Sequence, residues 1–335
     1  MTVRHRFTRV RRLAGVLLVG LIAFSLTACQ AGPATGTSSA PDEATIGLTY
    51  IPNIQFAPFY VADHDKAYAN AAITLRHHGA SEGLFTALIA GEEQFVVAGG
   101  DEILQARSQG VDIIAIGSYY SQYPSRLIVP ADSDITAMAD LRGKTIGIPG
   151  RFGENWFAVL IGLKQAGLTD QDVTISEIGY TQQVALTTGK VDAVIGFSNS
   201  DVISFEMAGV PIRVIDPKLD LVSICLATTT AYAKAHPDTV AAVIHGMRQG
   251  MTTAAKDPTT TLTIAADYIP NFRGETVTTA EKILPATTQL FSDSHGTISP
   301  DLDPAQWRSM SEAMTSVGLL ASTVDPSVAM SNDYA

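Results

Sequence analysis

Short apolar segments alternate with helical segments along most of this chain, and this alternation is the strongest constraint on its fold. Gln94–Ala98 and Val111–Gly117 are rich in β-branched and other apolar residues, as strands are. Between them, Asp101–Gln109 has the pattern of a helix, and Gly110 follows as its stop signal. A strand, a helix and a second strand in this order predict parallel sheet with crossover helices. The fold class is therefore α/β.

The alternation occurs in two series, which predicts two lobes. A second run of strands begins at Thr145–Pro149 and continues through Val191–Gly196, and after Thr228 the chain becomes mainly helical. The globular part has about 305 residues, which is more than one hydrophobic core usually holds.

We therefore predict the following domain boundaries. Residues 44–128 and 222–335 would form lobe one, and residues 129–221 would form lobe two as an insertion. The chain would cross between the lobes near Val129 and near Leu221, and these two crossover segments would form a hinge.

The N-terminal segment has the order of a secretory signal. The first 12 residues contain five arginines and no acid, and Leu13–Leu26 is almost wholly apolar. This run of about 14 residues is shorter than the roughly 20 that a transmembrane helix needs. Leu26-Thr27-Ala28-Cys29 resembles the lipobox of bacterial lipoproteins, which implies a signal peptide over 1–28 and lipidation of Cys29. Residues 29–43 would be a flexible tether, since they are rich in Gly, Ala, Ser, Thr and Pro. An ordinary signal peptide cut nearby, or a twin-arginine signal, is the alternative.

The charge balance excludes two classes of partner. The chain has 22 basic and 33 acidic residues, and the signal segment contains five of the basic ones. The remainder therefore has a net charge of −16. A body this acidic has no basic footprint for nucleic acid and no attraction for anionic lipid. Membrane attachment would then come from the lipid anchor alone.

Catalytic and metal-site patterns are weak in this sequence. Of the two cysteines, Cys225 lies in an apolar run and is expected to be a buried, inert thiol. His77 and His78 are adjacent in a predicted strand, so they would point to opposite faces and could not easily share a metal ion. Asp101 and Glu102 could act as an acid–base pair, but capping of a helix start is the stronger interpretation. We expect no cofactor, no metal and no enzymatic activity.

Aromatic side chains are concentrated in the loops that follow the predicted strands. These loops contain ten of the 24 aromatic residues, interleaved with amides and carboxylates. Ligands of open α/β sheets bind beyond the carboxyl ends of the strands, and aromatic faces with a few polar groups suit a planar, uncharged or weakly basic heterocycle. The predicted ligand-binding residues are Asn53, Phe56, Phe59, Tyr60, Asp101, Tyr120, Gln122, Tyr123, Phe152, Trp156, Asn199 and Asp201. For single residues such as Phe56, Phe59 and Phe197, a role as a hydrophobic plug beneath the loop is the alternative.

One loop could in principle bind an anion. Gly150-Arg151-Phe152-Gly153 precedes a predicted helix, whose free N–H groups favour negative charge. Glu154 at the start of that helix would oppose a bound anion while it suits the helix dipole. The sequence therefore disfavours phosphate, sulfonate or nitrate as the main group recognised.

Three motifs resemble one family of transport proteins. Residues 51–62, which include Asn-Ile-Gln-Phe-Ala-Pro-Phe, resemble the first ligand loop of the substrate-binding proteins of ABC importers for thiamine pyrimidine, riboflavin, sulfonates and nitrate. Asp140–Gly147 resembles the start of that family's second lobe, and Val191–Val194 matches a common strand. The loop is more similar to the thiamine-pyrimidine and riboflavin binders than to the others.

This resemblance implies a type II periplasmic-binding-protein fold that closes on a small heterocyclic ligand. By position, Asn53, Phe59 and Tyr60 would bind from lobe one, and Asn199 and Asp201 from lobe two. The partners implied are an ABC permease and its ATPase, and the protein would be an extracytoplasmic, lipid-anchored monomer. The alternatives are an anion binder, a sensor domain, or an enzyme similar to those that make the thiamine pyrimidine, although those enzymes carry a cysteine-rich iron motif that two cysteines cannot supply.

Overall fold

The computed structural model describes residues 42–79, 82–293 and 295–335. The predicted signal peptide, the lipidation site Cys29 and nearly all of the tether lie outside these residues. The strands are β1 (Glu43–Leu48), β2 (Ala72–His77), β3 (Phe95–Gly99), β4 (Ile114–Ser118), β5 (Ser125–Pro130), β6 (Thr145–Ile148), β7 (Thr174–Glu177), β8 (Ala193–Phe197), β9 (Ile212–Ile215) and β10 (Ile224–Thr228). The helices are α1 (Ala57–His64), α2 (Thr86–Ala90), α3 (Gly100–Ser108), α4 (Gly153–Gln165), α5 (Gln182–Thr187), α6 (Asp201–Met207), α7 (Thr230–Ala235), α8 (Pro237–Lys256), α9 (Pro258–Ala265), α10 (Glu275–Leu290), α11 (Pro304–Ser316) and α12 (Pro326–Ala329).

The strands form two five-stranded sheets with the same plan. The first has the order β2-β1-β3-β10-β4 and the second the order β7-β6-β8-β5-β9. In each sheet the first three strands are parallel, as predicted, but the fourth is antiparallel to both of its neighbours. The antiparallel strand is in each case the first one after the chain has crossed from the other sheet, because it enters the new sheet at its carboxyl edge.

The two crossings lie in residues 119–124 and 216–223. We expected the first near Val129, but Val129 pairs with Arg213 of β9 inside the second sheet. The apolar run from Leu127 to Val129 belongs to this strand, so the first crossing ends before Ser125. The second crossing includes the predicted position at Leu221.

Helices of the C-terminal region complete lobe one and also reach lobe two. Helix α8 packs against α1, and a Cβ atom at Gly250 would overlap the carbonyl oxygen of Pro58, so the two helices approach at a glycine. Helix α11 contacts both α3 and α4, and its fully buried Trp307 belongs to a core that contains residues of both lobes. No helix in the described ranges is both long and apolar enough to span a membrane.

Candidate binding cleft

The carboxyl edges of the two sheets face each other, and both crossings lie at these edges. Two inter-lobe contacts define the facing surfaces. The Asn199 side chain, which follows β8 in lobe two, donates from Nδ2 to the Thr287 hydroxyl of α10 in lobe one, at 3.0 Å. The rings of Tyr50 and Tyr180, which follow β1 and β7, lie 6.4 Å apart between centroids. The predicted position of the ligand site, beyond the strand ends, thus lies between the two lobes, and we call this region the cleft.

The floor of this cleft is polar and buried. Asn199 is fully buried, and its Nδ2 also lies 3.4 Å from the Tyr120 hydroxyl. Tyr120 belongs to the first crossing and stacks on Tyr119, with ring centroids 4.9 Å apart. The Asn199 Oδ1 atom has no hydrogen-bond partner among the described residues. A buried acceptor without a partner is rare in folded proteins, and a bound ligand is one group that can satisfy it.

Three carboxyl groups meet next to this floor. Asp101 and Glu102 lie in the first turn of α3 in lobe one, and Glu154 lies in the first turn of α4 in lobe two. Asp101 and Glu154 are buried, at 1% and 4% exposure. The Ser223 hydroxyl of the second crossing donates to Glu154 Oε1 at 3.0 Å, while Oε2 has no partner among the described residues. Carboxyl groups of both lobes therefore lie together in one buried cluster.

These carboxyl groups hold their protons unusually tightly. Burial, and then the neighbouring Glu102 carboxyl, raise the pKa of Asp101 to about 8. Burial raises the pKa of Glu102 to about 7. Burial, and then the carboxyl groups of Asp101 and Glu102, raise the pKa of Glu154 well above its ordinary value. Like charges in a low-dielectric site cannot all ionise, so the cluster keeps protons at neutral pH.

Exposed apolar side chains form a rim around the cleft. Tyr50 and Ile51 come from lobe one, and Phe152 and Tyr180 from lobe two, with between 42% and 70% of each side chain exposed. Burial raises the pKa of Tyr180, and the neighbouring Tyr50 and the Glu102 carboxyl raise it further. Exposed aromatic faces beside buried polar groups are typical of sites for planar ligands.

A hydrogen-bond relay fixes the Tyr50 loop to the core. The Tyr60 hydroxyl lies 2.9 Å from Nε2 of His77, and Nδ1 of the same ring lies 2.9 Å from the Tyr50 carbonyl oxygen. A carbonyl only accepts, so Nδ1 carries the proton and Nε2 accepts from Tyr60. The Tyr60 hydroxyl in turn accepts from the backbone N–H of Asn53. Burial lowers the pKa of His77, which favours this neutral form.

Several predicted site residues are core residues in the structure. Phe59 and Tyr60 have no exposed surface and lie in α1, where Tyr60 stacks on Tyr268 with ring centroids 4.7 Å apart. Phe56 is also buried, and its ring meets the edge of His77. In the structure these residues have the alternative role, that of hydrophobic plugs beneath the loop. They support the Tyr50 loop rather than line the cleft.

Three more predicted residues make local structural contacts. Asn53 accepts the Gln55 N–H and caps a short 3-10 helix. Gln122 donates to two backbone carbonyls near the end of α10, those of Gln289 and Ser292. Asp201 accepts the Phe197 N–H at 2.7 Å, and burial raises its pKa to about 6.

Trp156 is buried in the core, and the guanidinium of Arg151 lies over its ring at 4.8 Å. The predicted residues that the structure brings together at the cleft are therefore Asp101, Tyr120, Tyr123 and Asn199, with Phe152 at the rim.

The structure adds six residues that were not in the predicted set. These are Tyr50, Ile51, Glu102, Glu154, Tyr180 and Thr287. All but Thr287 lie in, or next to, loops that follow predicted strands, so position was the available signal. Their exposure or burial was the missing information. In the described part of the chain, no group of three or more His, Cys, Asp or Glu residues could hold a metal ion.

Comparison with known proteins agrees with this architecture. The sequence profile of the family described as NMT1/THI5 like matches residues 53–261, which is more than half of the chain. The chain belongs to the NMT1/THI5-like family. A curated relative, the riboflavin-binding protein RibY of Chloroflexus aurantiacus, is 29% identical over 95% of this chain and 97% of its own length. A second relative, the 4-amino-5-hydroxymethyl-2-methylpyrimidine phosphate synthase of Legionella pneumophila, is 26% identical, but the alignment covers only 50% of this chain and 54% of the relative's own length.

Solved structures show the fold of this family member. The aliphatic sulphonate-binding protein SsuA of Escherichia coli superposes with a TM-score of 0.68 at 16% identity, over 86% of this chain and 91% of that one. The alkanesulfonate-binding protein SsuA of Xanthomonas axonopodis, bound to MOPS, gives 0.65 at 18% identity, over 88% and 99%. The predicted periplasmic-binding-protein fold is thus confirmed.

Proposed function

We propose that this chain is the extracytoplasmic solute-binding component of an ABC importer and that it captures a planar heteroaromatic ligand between its lobes. The main observation behind this proposal is the carboxyl cluster formed by Asp101, Glu102 and Glu154 at the cleft, because these acids disfavour an anionic ligand. The nearly full-length similarity to a riboflavin-binding protein supports the same ligand class. Riboflavin and the thiamine pyrimidine are the specific candidates.

The cleft disfavours an anionic ligand. The two helices that start at the cleft, α3 and α4, would normally attract an anion to their free N–H groups. Here the first turns of both contain carboxyl groups, and Glu102 accepts the Gly99 N–H. A sulfonate bound here would lie beside three acids, and the likeness to sulfonate-binding proteins is a likeness of fold alone.

A binding function is favoured over an enzymatic one. The relative whose alignment covers nearly the whole chain is named as a binding protein, whereas the one named as a synthase aligns over about half. Under this proposal the partners are a permease and its ATPase. Lipidation at Cys29 would hold the acidic body near the membrane as a monomer.

Isothermal titration of the full-length chain, purified in detergent, tests the proposal. The probes are riboflavin, the pyrimidine 4-amino-5-hydroxymethyl-2-methylpyrimidine and, as the anionic comparison, an alkanesulfonate. We expect saturable binding of riboflavin or of the pyrimidine and none of the sulfonate. Binding of the sulfonate alone would contradict the proposed ligand class.

A further inference from the structure

We infer that Glu154 recognises the ligand as a neutral carboxylic acid, and that Asp101 and Glu102 are positioning residues that keep the proton on it. The ligand group recognised would be a lactam or imide edge, in which an N–H lies next to a carbonyl group. This inference rests on the proposed function and names the ligand group that the proposed site recognises.

The first observation is an unpartnered oxygen. Glu154 is 4% exposed, and its Oε1 atom accepts the Ser223 hydroxyl hydrogen bond, yet its Oε2 atom has no partner in the part of the chain that the structure describes. Leaving a buried polar atom unpaired costs more than a typical hydrogen bond contributes. The free oxygen therefore marks a position where a ligand atom would be stabilising.

The second observation is that a complementary atom belongs to the same site. Asn199 Oδ1 is also buried without a partner in the described ranges, and it too comes from lobe two. Tyr120 connects the two residues: its hydroxyl lies 3.4 Å from Asn199 Nδ2, and Glu154 contributes, after burial, to raising its pKa. An amide oxygen accepts, so Asn199 is suited to an N–H of the ligand.

The surroundings of Glu154 favour the protonated form. Titratable groups that interact with the carboxyl cluster are Asp101 and Glu102 on α3, Tyr120 and Tyr123 in the first crossing, Tyr180 after β7 and Cys225 on β10. None of these is basic. Arg151, three residues before Glu154, is within 4.0 Å of the Asp170 and Glu177 carboxylates and covers Trp156. Since no cation of the described residues balances it, an ionised Glu154 would face two further acids.

A protonated Glu154 gives the cleft a specific hydrogen-bond pattern. Its Oε2–H donates, and the Asn199 Oδ1 accepts. A ring with a carbonyl beside an N–H complements both residues, because the carbonyl accepts from Glu154 and the N–H donates to Asn199. An anionic group has no hydrogen to donate to Asn199. The isoalloxazine ring of riboflavin has such an imide edge.

Four variants of the full-length chain test the inference by titration with riboflavin in a pH series from pH 6 to pH 9.5. Glu154→Gln retains a donor and an acceptor without a titrating proton, Glu154→Ala removes both, and Glu206→Gln alters an exposed acid of α6 as the control. We expect the affinity of wild type and control to fall about tenfold, the size of one lost hydrogen bond, only at the high-pH end of the series, where Glu154 loses its proton after Asp101 and Glu102 have ionised. Glu154→Gln should bind equally along the whole series, and Glu154→Ala should bind about tenfold more weakly at pH 6. Asp101→Asn should move the midpoint of the pH profile, which a merely structural role would leave in place.

Several outcomes overturn the inference. If Glu154→Gln is as weak as Glu154→Ala at pH 6, the ionised carboxylate is what binds. If all Glu154 variants match wild type while their thermal melts are normal, Glu154 is not a recognition residue, although the proposed function stands. If wild type binds neither riboflavin nor the pyrimidine at any pH of the series, the proposed ligand class fails and the inference with it.

Discussion

The hydroxyl oxygen of Tyr123 lies 2.7 Å from Asp101 Oδ2 and 2.9 Å from the carbonyl oxygen of Glu154. A hydroxyl has one proton, and the Glu154 carbonyl can only accept. All three oxygen atoms have a hydrogen-bond partner if Asp101 is protonated. Asp101 then donates a hydrogen bond to the Tyr123 hydroxyl, and this hydroxyl donates one to the Glu154 carbonyl oxygen. Tyr123 belongs to the first crossing, so this chain of hydrogen bonds connects lobe one, the hinge and lobe two.

Replacement of Tyr123 by Phe should destabilise the protein and loosen the contact between the lobes. The variant leaves buried oxygen atoms of Asp101 and Glu154 without their partner, at a cost of about 1–3 kcal/mol. We expect a lower melting temperature and weaker riboflavin binding. Tyr50→Phe, in the half-exposed rim, is the matched control and should melt like wild type. Equal melting of Tyr123→Phe and wild type would show that the hydroxyl is not a stabilising link.

The stability of the protein should fall as the pH rises from about 5 to 8.5. The folded-state pKa values of Asp101 and Glu102 are raised to about 8 and about 7, whereas in the unfolded chain they return to about 4. Between these values the folded state binds more protons than the unfolded state, so raising the pH favours unfolding. Thermal melts across this range should show a decrease of about 2–4 °C for each kcal/mol lost. Asp101→Asn should reduce the slope, and an unchanged slope would contradict the shared-proton cluster.

Removal of rim aromatics should weaken ligand binding without affecting the fold. Tyr50 and Tyr180 are 42% and 70% exposed, so their replacement by Ala leaves no buried cavity. A stacking contact contributes about 0.5–1.5 kcal/mol, which corresponds to an affinity loss of up to about tenfold for each ring. Titration with riboflavin measures the loss. Val184→Ala, which removes another exposed apolar side chain of lobe two, should bind as wild type does. Wild-type affinity in both Tyr variants would mean that the ligand does not contact the rim.

Gly250→Ala should destabilise lobe one. The added Cβ atom would overlap the backbone carbonyl of Pro58, which cannot move without separating α1 from α8. Overpacking of this kind costs about 1–3 kcal/mol, visible as a lower melting temperature. The same substitution at Gly79, where no atom of the described residues lies within 4 Å of the added Cβ, is the control and should have little effect. A Gly250→Ala variant as stable as wild type would show that the helices can adjust.

Local patterns in the sequence account for the elements of the fold. The alternation of apolar and helical segments identified both series of strands, and the apolar run around Cys225 identified a strand whose thiol is fully buried. Hydrophobic periodicity and glycine stop signals act over a few residues, so they can be interpreted without tertiary structure. The predicted position of the ligand site followed from the same patterns, because ligand loops of such sheets lie at strand ends.

The tertiary structure alone decided which residues line the cleft. Phe59 and Tyr60, like Tyr50 and Tyr180, are aromatic residues that follow predicted strands. Helix α1 lies between other helices, so its aromatic residues belong to the core, whereas the two loop residues form the rim. The antiparallel strand of each sheet pairs with segments far away in the chain, as Cys225 does with Ala98. The carboxyl cluster likewise joins helix starts about 50 residues apart. Packing between distant segments sets the burial, and hence the pKa, of these groups, and no local pattern encodes that environment.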